Sequence, residues 1–185
     1  MGVGLMVEIR PFEVDDIPAV AALEAANQPQ PWTEGILEDE LAAENRSYLI
    51  AEDEGAFGLA GVCGFAGVIG PAGVIGPAGV IGFAGVMVVG EEAHVTNLLV
   101  AEEDRRRGVG KVLMLGLVDA ALEMGARHLT LEVRSKNEAA RSFYAHFGLA
   151  PIGVRKGYYG DDDALIMWVH DIDSETYAQG LEAIR

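Results

Sequence analysis

Cysteine is almost missing from this chain: Cys63 stands alone among 185 residues. No intrachain disulfide can form, which fits a reducing, cytoplasmic compartment. Positive charge is scarce too, with 13 Lys and Arg against 29 Asp and Glu and a formal net charge of −16. That balance argues against nucleic-acid binding, which needs clustered cations to meet the phosphates. It is compatible with a basic protein or peptide as partner, although acidity more often serves solubility alone. The four histidines, His94, His128, His146 and His170, show no metal-ligand spacing, and no metal is expected. The opening MGVGLMVEIRP has no basic stretch followed by an apolar one, and position 6 is Met6 rather than Ser or Thr. Neither a secretory signal nor a myristoylation site is expected there. Half the residues are apolar, enough for one domain with a real core.

Charge disappears altogether from Gly55 to Gly90. Within that run a hexad, x-Gly-(Leu/Phe/Pro)-Ala-Gly-Val, begins at Phe57, Cys63, Ile69, Ile75 and Ile81, five copies in all. Glycine at every third residue suggests a collagen-like rod, but only Pro71 and Pro77 supply imino acids, well below the roughly 15–20% such a helix wants. A coil of stacked hexapeptides is disfavoured because five hexads make too few turns to bury a core. The run is long enough for a membrane span, which takes about 20 apolar residues. Its glycine and proline content lowers helix propensity, however, and acidic residues flank both ends with no Lys/Arg excess. A span is therefore not expected. The favoured reading is an expansion of one hexad within or beside a single strand, over 57–86, as a lengthened edge, a loop or a glycine-rich hairpin.

Outside the repeat the chain reads as strands with interspersed helices. Leu5–Arg10 suggests a strand, Asp15 and Asp16 open a helix to about Asn27, and Thr33 caps a second helix to about Glu44. SYLIAED and EEAHVTNLLVAEE read as strands. RRRGVGK is a glycine loop opening a long helix, with Val112, Leu113, Leu117, Leu122 and Met124 on its apolar face and Gly125 as its stop. HLTLEVR alternates, with Leu129, Leu131 and Val133 on one side and Thr130, Glu132 and Arg134 on the other. Asn137 caps a helix carrying Phe143, Tyr144 and Phe147 and ending at Gly148. Strands near Pro151–Lys156 and Ala164–His170 flank a GYYGDDD turn, and the tail from Asp171 forms a surface helix or frays.

The strongest local signal is RRRGVGK. Gly108 and Gly110 let backbone amides approach an anion closely, the following helix aims its positive end at the same place, and Arg106, Arg107 and Lys111 add charge. A phosphate-bearing ligand is favoured, although neither a Walker loop nor a dinucleotide fingerprint is present. In its context, after an apolar strand and before a strand bearing Glu132, the chain resembles the GNAT N-acetyltransferases. Arg105, Arg106, Arg107, Gly108, Val109 and Gly110 fit that family's Gln/Arg-x-x-Gly-x-Gly/Ala diphosphate loop. More narrowly, PWT, NLLV, RRRGVGK, LEVRSKNEAARSFYAHFGL and RKGYY…DALIM are similar, in order, to the bacterial RimI-type enzymes that acetylate the alanine terminus of a ribosomal protein. The resemblance spans nearly the whole chain apart from the repeat and the last dozen or so residues.

The resemblance implies acetyl-CoA as co-substrate, without a metal. It implies Glu132 as general base, through a water, and Tyr144 as the acid that protonates the departing thiolate. Read without it, Glu132 is a solvent-facing strand carboxylate and Tyr144 a core aromatic. Asn137 would touch the cofactor as well as cap its helix. Leu98, Leu99 and Val100 would bind the acetyl-pantetheine arm through their main chain, and Arg105 to Lys111 the diphosphate. Tyr158 and Tyr159 match a peptide-gripping hairpin, equally readable as a plain turn, and Trp32 either walls that groove or anchors the second helix. Asp161 to Asp163 could attract a basic N-terminal tail.

The expectation is a single α/β (α+β) GNAT-like domain over 1–170, with a mixed, mostly antiparallel sheet flanked by helices, a hexad insertion and a tail over 171–185. The expected function is acetylation of a protein N-terminal α-amine by direct attack, most naturally that of a basic ribosomal protein beginning with alanine. Cys63 has no evident base, which leaves a cysteine acyl-enzyme route unsupported. The alternatives are the same fold acting on a small amine or a lysine side chain, and a non-catalytic CoA-binding or interaction module whose repeat mediates assembly.

Overall fold

The computed structural model describes residues 7–53, 68–69, 75–76 and 79–185. Most of the repeat, with Cys63, lies outside them. Seven strands form one mixed sheet in the order β1-β2-β5-β6-β7-β9-β8. β1 (Val7–Pro11) pairs antiparallel with β2 (Arg46–Asp53), from Val7↔Asp53 to Pro11↔Leu49. Val68–Ile69 (β3) and Ile75–Gly76 (β4) form a separate antiparallel pair, and the fifth hexad, Ile81–Val86, lies inside β5 (Val80–Val89). A two-residue turn at Gly90 (φ +62°) and Glu91 leads into β6 (Glu92–Val100), the left-handed backbone there favouring glycine. β6 runs parallel to β7 (His128–Arg134), with Glu92↔His128, Ala93↔Leu129 and His94↔Thr130 in register. β7 pairs antiparallel with β9 (Ala164–Val169), and β9 with the edge strand β8 (Ala150–Arg155).

The helices follow local capping rules. α1 (Ile17–Asn27) carries Pro18 in its first turn, where no amide is needed. The Thr33 hydroxyl accepts from the Ile36 N–H to open α2 (Glu34–Ala42). α2 stops two residues short of the expected Glu44, because Ala43 turns extended. α3 (Val109–Glu123) ends in a Schellman motif: Gly125 sits at φ +86°, its N–H reaches the Leu122 carbonyl, and the Ala126 N–H reaches that of Ala121. Asn137 caps α4 (Glu138–His146), accepting from the Ala140 N–H at 3.1 Å. The tail forms α5 (Glu175–Glu182), with Leu181 buried and the Tyr177 hydroxyl donating to the Phe147 carbonyl.

The described residues group into two compact units, one drawn from Met1–Gly85 and Asn97–Leu117, the other from Val86–Thr96 and Val118–Arg185. In the first, Phe12, Ile17, Val20, Leu37, Tyr48, Ile50, Phe83 and Leu99 make the core. Two glycines of the fifth hexad are demanded by that packing. A Cβ at Gly85 would stand 2.0 Å from the Tyr48 ring, and one at Gly82 would stand 2.8 Å from the Leu99 carbonyl, with Val109 and Leu113 of α3 close by. In the second unit, Leu129, Leu131 and Val133 of β7 are buried, as are Phe147, Leu149 and Met167.

Gly85→Ala should therefore destabilise. Tyr48 is wedged edge-on against Phe12 and Trp32 and its hydroxyl is hydrogen-bonded to Glu40, so the ring has nowhere to swing. Overpacking of this kind costs about 1–3 kcal/mol, and a thermal melt should show a midpoint lower by roughly 2–4 °C for each of these.

Candidate active site

In the first unit, the glycine loop before α3 has the features of an anion cradle. Arg106 is at φ +67° and Gly108 at φ +90°, so two left-handed residues shape the turn that enters α3. Inside the helix the first bond is from the Val112 N–H to the Gly108 carbonyl. Among the described residues nothing accepts from the N–H groups of Gly108, Val109 or Gly110. These are the orphan donors of a helix start, where the macrodipole adds positive potential.

The three arginines divide the work. Arg105 is tied down, its Nε donating to the Val100 carbonyl at 3.2 Å and its Nη2 to Asn27 Oδ1 at 3.1 Å. Arg107 pairs with Asp104 and lies 3.8 Å from Asp53. Arg106 is exposed and makes no ion pair among the described residues, so it carries the loop's uncommitted charge. Its backbone conformation was not legible in a run of three identical residues. Leu98, Leu99 and Val100 close β6 just before this loop, with Leu99 buried.

Behind them lies a residue that the sequence did not single out. Glu24 of α1 is 1% exposed and has no cationic partner among the described residues. Its carboxylate accepts from the Trp32 N–H at 3.1 Å and from the Asn97 amide at 2.9 Å. Desolvation raises its pKa above the ordinary carboxyl value, and those two hydrogen bonds oppose the rise. Trp32, just before the Thr33 cap of α2, thus has its backbone anchored to Glu24, while its ring packs at 6.4 Å on Tyr48.

The second unit brings together Glu132, Tyr158 and Tyr159, with two side chains the sequence reading passed over. Glu132 Oε2 lies 2.7 Å from His94 Nε2, and Oε1 lies 3.1 Å from an Arg155 guanidinium nitrogen. Its side chain is only 9% exposed, so the carboxylate is no solvent-facing ornament of β7. The Tyr159 hydroxyl donates to the Glu132 carbonyl at 3.3 Å, and the Arg134 guanidinium stacks 4.4 Å over its ring. Tyr158 meets Tyr159 edge-on at 5.0 Å and is half exposed, with Arg155 5.7 Å from its ring.

Tyr144, on α4, is partly buried, and burial pushes its phenol up to about 12. The group therefore stays protonated across the neutral range, and no described residue hydrogen-bonds its hydroxyl. Asn137 spends its carbonyl oxygen on the α4 cap. The acidic turn has largely internal work. Asp162 accepts from Ser135 Oγ and the Lys136 N–H, Asp163 from the Gly157 N–H, and Asp161 pairs with Arg134 at 2.7 Å. Of the three, only Asp161 remains strongly exposed, so a tail-attracting role would rest on it alone. Among the described residues no group of three or more His, Cys, Asp or Glu could hold a metal ion, and no helix is long and apolar enough to cross a membrane.

A helix start whose leading amides are unmet, on a chain that also carries a buried carboxylate paired with an imidazole and a phenol that stays protonated, fits an enzyme of the acetyltransferase class. Residues 17–149 match the model of the Acetyltransferase (GNAT) family, and the chain belongs to that family, whose acetyl donor is acetyl-CoA. It is 34% identical over 164 residues to a Bacillus subtilis protein provisionally named ribosomal protein bS18-alanine N-acetyltransferase, covering 87% of this chain and 93% of that one. The ribosomal protein bS18-alanine N-acetyltransferase of Escherichia coli K12 is 37% identical over 84 residues, 43% of this chain and 57% of its own length. The crystal structure of the E. coli ribosomal-protein-S18-alanine N-acetyltransferase superposes with a TM-score of 0.71 at 26% identity, covering 90% of this chain and 94% of that one.

Glu24 yields a pH-dependent expectation. A carboxyl whose folded pKa is raised favours the protonated fold, so its stabilising share is complete below about pH 4.3 and is lost as pH rises through the folded value. Glu24→Gln removes the charge and keeps the shape. Its melting temperature relative to wild type should therefore rise between pH 4 and pH 7, whereas a constant difference in paired melts would refute the account. At the loop, Arg106→Ala should weaken CoA binding by about 3- to 10-fold, the worth of one exposed charge-assisted contact, while Arg105→Ala should also lower thermal stability.

Proposed function

We propose that this chain acetylates the N-terminal α-amine of a ribosomal protein that begins with alanine, in the cytoplasm, with the acetyl group of acetyl-CoA. The observation that carries the acceptor class is the tyrosine turn. Tyr159 is bonded to the main chain of the strand that carries Glu132, and Arg155 joins Glu132 to the ring of Tyr158. Two amphipathic rings beside a buried carboxylate suit an extended peptide end, whose first amine must reach the base while its backbone lies along the rings. The near full-length likeness to a protein named for the bS18 alanine terminus supports the same acceptor.

The roles follow from the chemistry of each group. The free amides of Gly108, Val109 and Gly110, with Arg106, hold the diphosphate. The main chain of Leu98, Leu99 and Val100 holds the pantetheine arm, and the Asn137 amide is available to the same ligand. An α-amine titrates near 7.7–8.0, so a modest base suffices to make it nucleophilic. Glu132 is that base, acting through a water. The neutral Tyr144 phenol donates to the sulfur as the carbon–sulfur bond breaks; the burial that raises the phenol also raises a thiol placed near it. Trp32, its N–H held by Glu24, is a candidate contact for the acceptor peptide.

Mass spectrometry of peptides beginning Ala-Arg, incubated with acetyl-CoA, tests the reading. The wild type should add one acetyl group at the α-amine. Glu132→Gln should lower the rate by about 10²-fold and Tyr144→Phe by about 10-fold, in line with lost acid–base assistance. Equal modification of a peptide whose terminus is blocked and whose only amine is a lysine side chain would replace the α-amine assignment with a side-chain one. Turnover should survive trimming of Gly64–Gly85 to one hexad. Loss of both turnover and self-association on that trim would favour an assembly module.

A further inference from the structure

α5 lies beyond the last motif that the chain shares with the RimI-type enzymes, DALIM at 163–167, and the acetyl transfer described above makes no use of it. It is nevertheless fastened at several points. The Ile172 N–H donates to the Arg127 carbonyl at 2.9 Å, and the Asp173 carboxylate accepts from Arg127 Nε at 3.1 Å. Ser174 Oγ caps the helix, accepting from the Tyr177 N–H at 3.2 Å. Tyr177 and Leu181 follow at i and i+4, a spacing that puts both on one face. Leu181 is buried, and the Tyr177 hydroxyl donates to the Phe147 carbonyl at 3.1 Å. An open cleft of about 580 Å³, bordered by His146, Thr176 and Ile184, remains between α5 and the end of α4. α5 thus bears on α4 at few points, and the Tyr177 hydroxyl supplies a directional one.

The Phe147 carbonyl belongs to the stop of α4. None of the residues of α4 is fully buried, so its two ends do much to hold it. At the start, Asn137 provides the cap. At the finish, Gly148 adopts φ +82°, its N–H reaches the Ala145 carbonyl at 3.0 Å, and the Leu149 N–H reaches the Tyr144 carbonyl at 3.3 Å. This is a Schellman stop closed on the main chain of Tyr144. The Phe147 carbonyl is one of the acceptors that a helix end leaves unmet, and Tyr177 meets it. A second link runs through the rings. Phe147 is buried and packs at 5.2 Å on Phe143, which packs at 5.2 Å on Tyr144. The Tyr144 hydroxyl has no hydrogen-bond partner among the described residues, so its aim follows from the placement of α4 and of these rings.

We propose that Tyr177 is a positioning residue for Tyr144: from α5 its hydroxyl holds the stop of α4, and with it the phenol that gives its proton to the departing sulfur. This rests on the acid role assigned to Tyr144 in the acetyltransferase reading. In that step the amine's nitrogen bonds to the acetyl carbon and its proton passes through water to Glu132. The carbon–sulfur bond breaks, the sulfur takes the Tyr144 proton, and solvent restores the phenol. Tyr177 is not itself the acid, because its hydroxyl is committed to the Phe147 carbonyl. Burial pushes the Tyr177 phenol up to about 12, which keeps the donor proton in place across the neutral range. A loosened stop lets the Tyr144 ring sample orientations away from the sulfur, and misorientation of a reacting group slows the chemical step. Asn137, at the opposite end of α4, keeps its cap, so cofactor binding is spared.

Steady-state kinetics on an Ala-Arg peptide with acetyl-CoA test this in Tyr177→Phe, Tyr144→Phe and the double variant, below the melting midpoint of each. Tyr177→Phe should lower kcat about threefold, the scale of one neutral hydrogen bond, with KM for acetyl-CoA within about twofold of wild type. On the Tyr144→Phe background the same substitution should change kcat by less than about 1.5-fold, because the group it aims is gone. An equal loss on both backgrounds, or a lower melting midpoint with kcat unchanged, marks a purely stabilising residue and overturns the proposal while leaving the acetyltransferase reading intact. Full activity of Tyr144→Phe removes the acid role and the proposal with it. Should wild type leave the peptide unmodified, the acceptor assignment fails instead, and amide hydrogen exchange decides the clamp alone. Tyr177→Phe should speed exchange at Gly148 and Leu149 about threefold or more and leave Ala140 unchanged; equal rates at Gly148 and Leu149 refute it.

Discussion

A carboxylate drawn almost wholly out of water must be matched by positive or donating groups, and here that demand organises the surroundings of β7. Burying an unpaired carboxylate costs several kcal/mol, so Glu132 is bearable on β7 only with His94 and Arg155 beside it. Those partners arrive from β6 and β8: the parallel β6–β7 ladder sets where His94 stands, and the β7–β9 and β8–β9 ladders set where Arg155 stands. The tyrosine turn is drawn into the same arrangement through the Glu132 carbonyl and through Arg155. The buried carboxylate and the tyrosine turn thus share one electrostatic arrangement.

The first unit solves the opposite problem, leaving donors deliberately unmet. Glu24 and Asn27 of α1 brace the structure behind the loop, one through Asn97 and Trp32, the other through Arg105. With those groups held, the loop leaves the amides of Gly108 to Gly110, and the Arg106 side chain, without a partner among the described residues. Glu24 does this without a cation, at a desolvation cost that its two hydrogen bonds only partly offset. A buried carboxyl with that balance supports position at the expense of stability.

The hexad repeat is clearest at its fifth copy. Gly82 and Gly85 stand where a methyl group would strike the Leu99 carbonyl and the Tyr48 ring, so glycine at those two places is a packing requirement of β5. The same spacing recurs upstream in a chain segment of which Val68–Ile69 and Ile75–Gly76 pair as a short antiparallel ladder. Cys63 and the remaining copies lie outside the described residues.

Strand alternation in HLTLEVR, the caps at Thr33 and Asn137, the stop at Gly125 and the glycine loop before α3 were all decided by the sequence alone, because each is a local steric or hydrogen-bonding rule acting within a few residues. The order of motifs also carried the family. What the linear chain could not contain is pairing across elements. His94 looked like one of four scattered histidines, Arg155 and Glu24 carried no signal of their own, and Asp162 and Asp163 looked available to a basic tail but proved bound, one to Ser135 and the Lys136 N–H, the other to the Gly157 N–H. Register and burial are settled by strand neighbours dozens of residues away, and charge distribution depends on them, so only the folded sheet could say which carboxylates are spent and which one has an imidazole at its side.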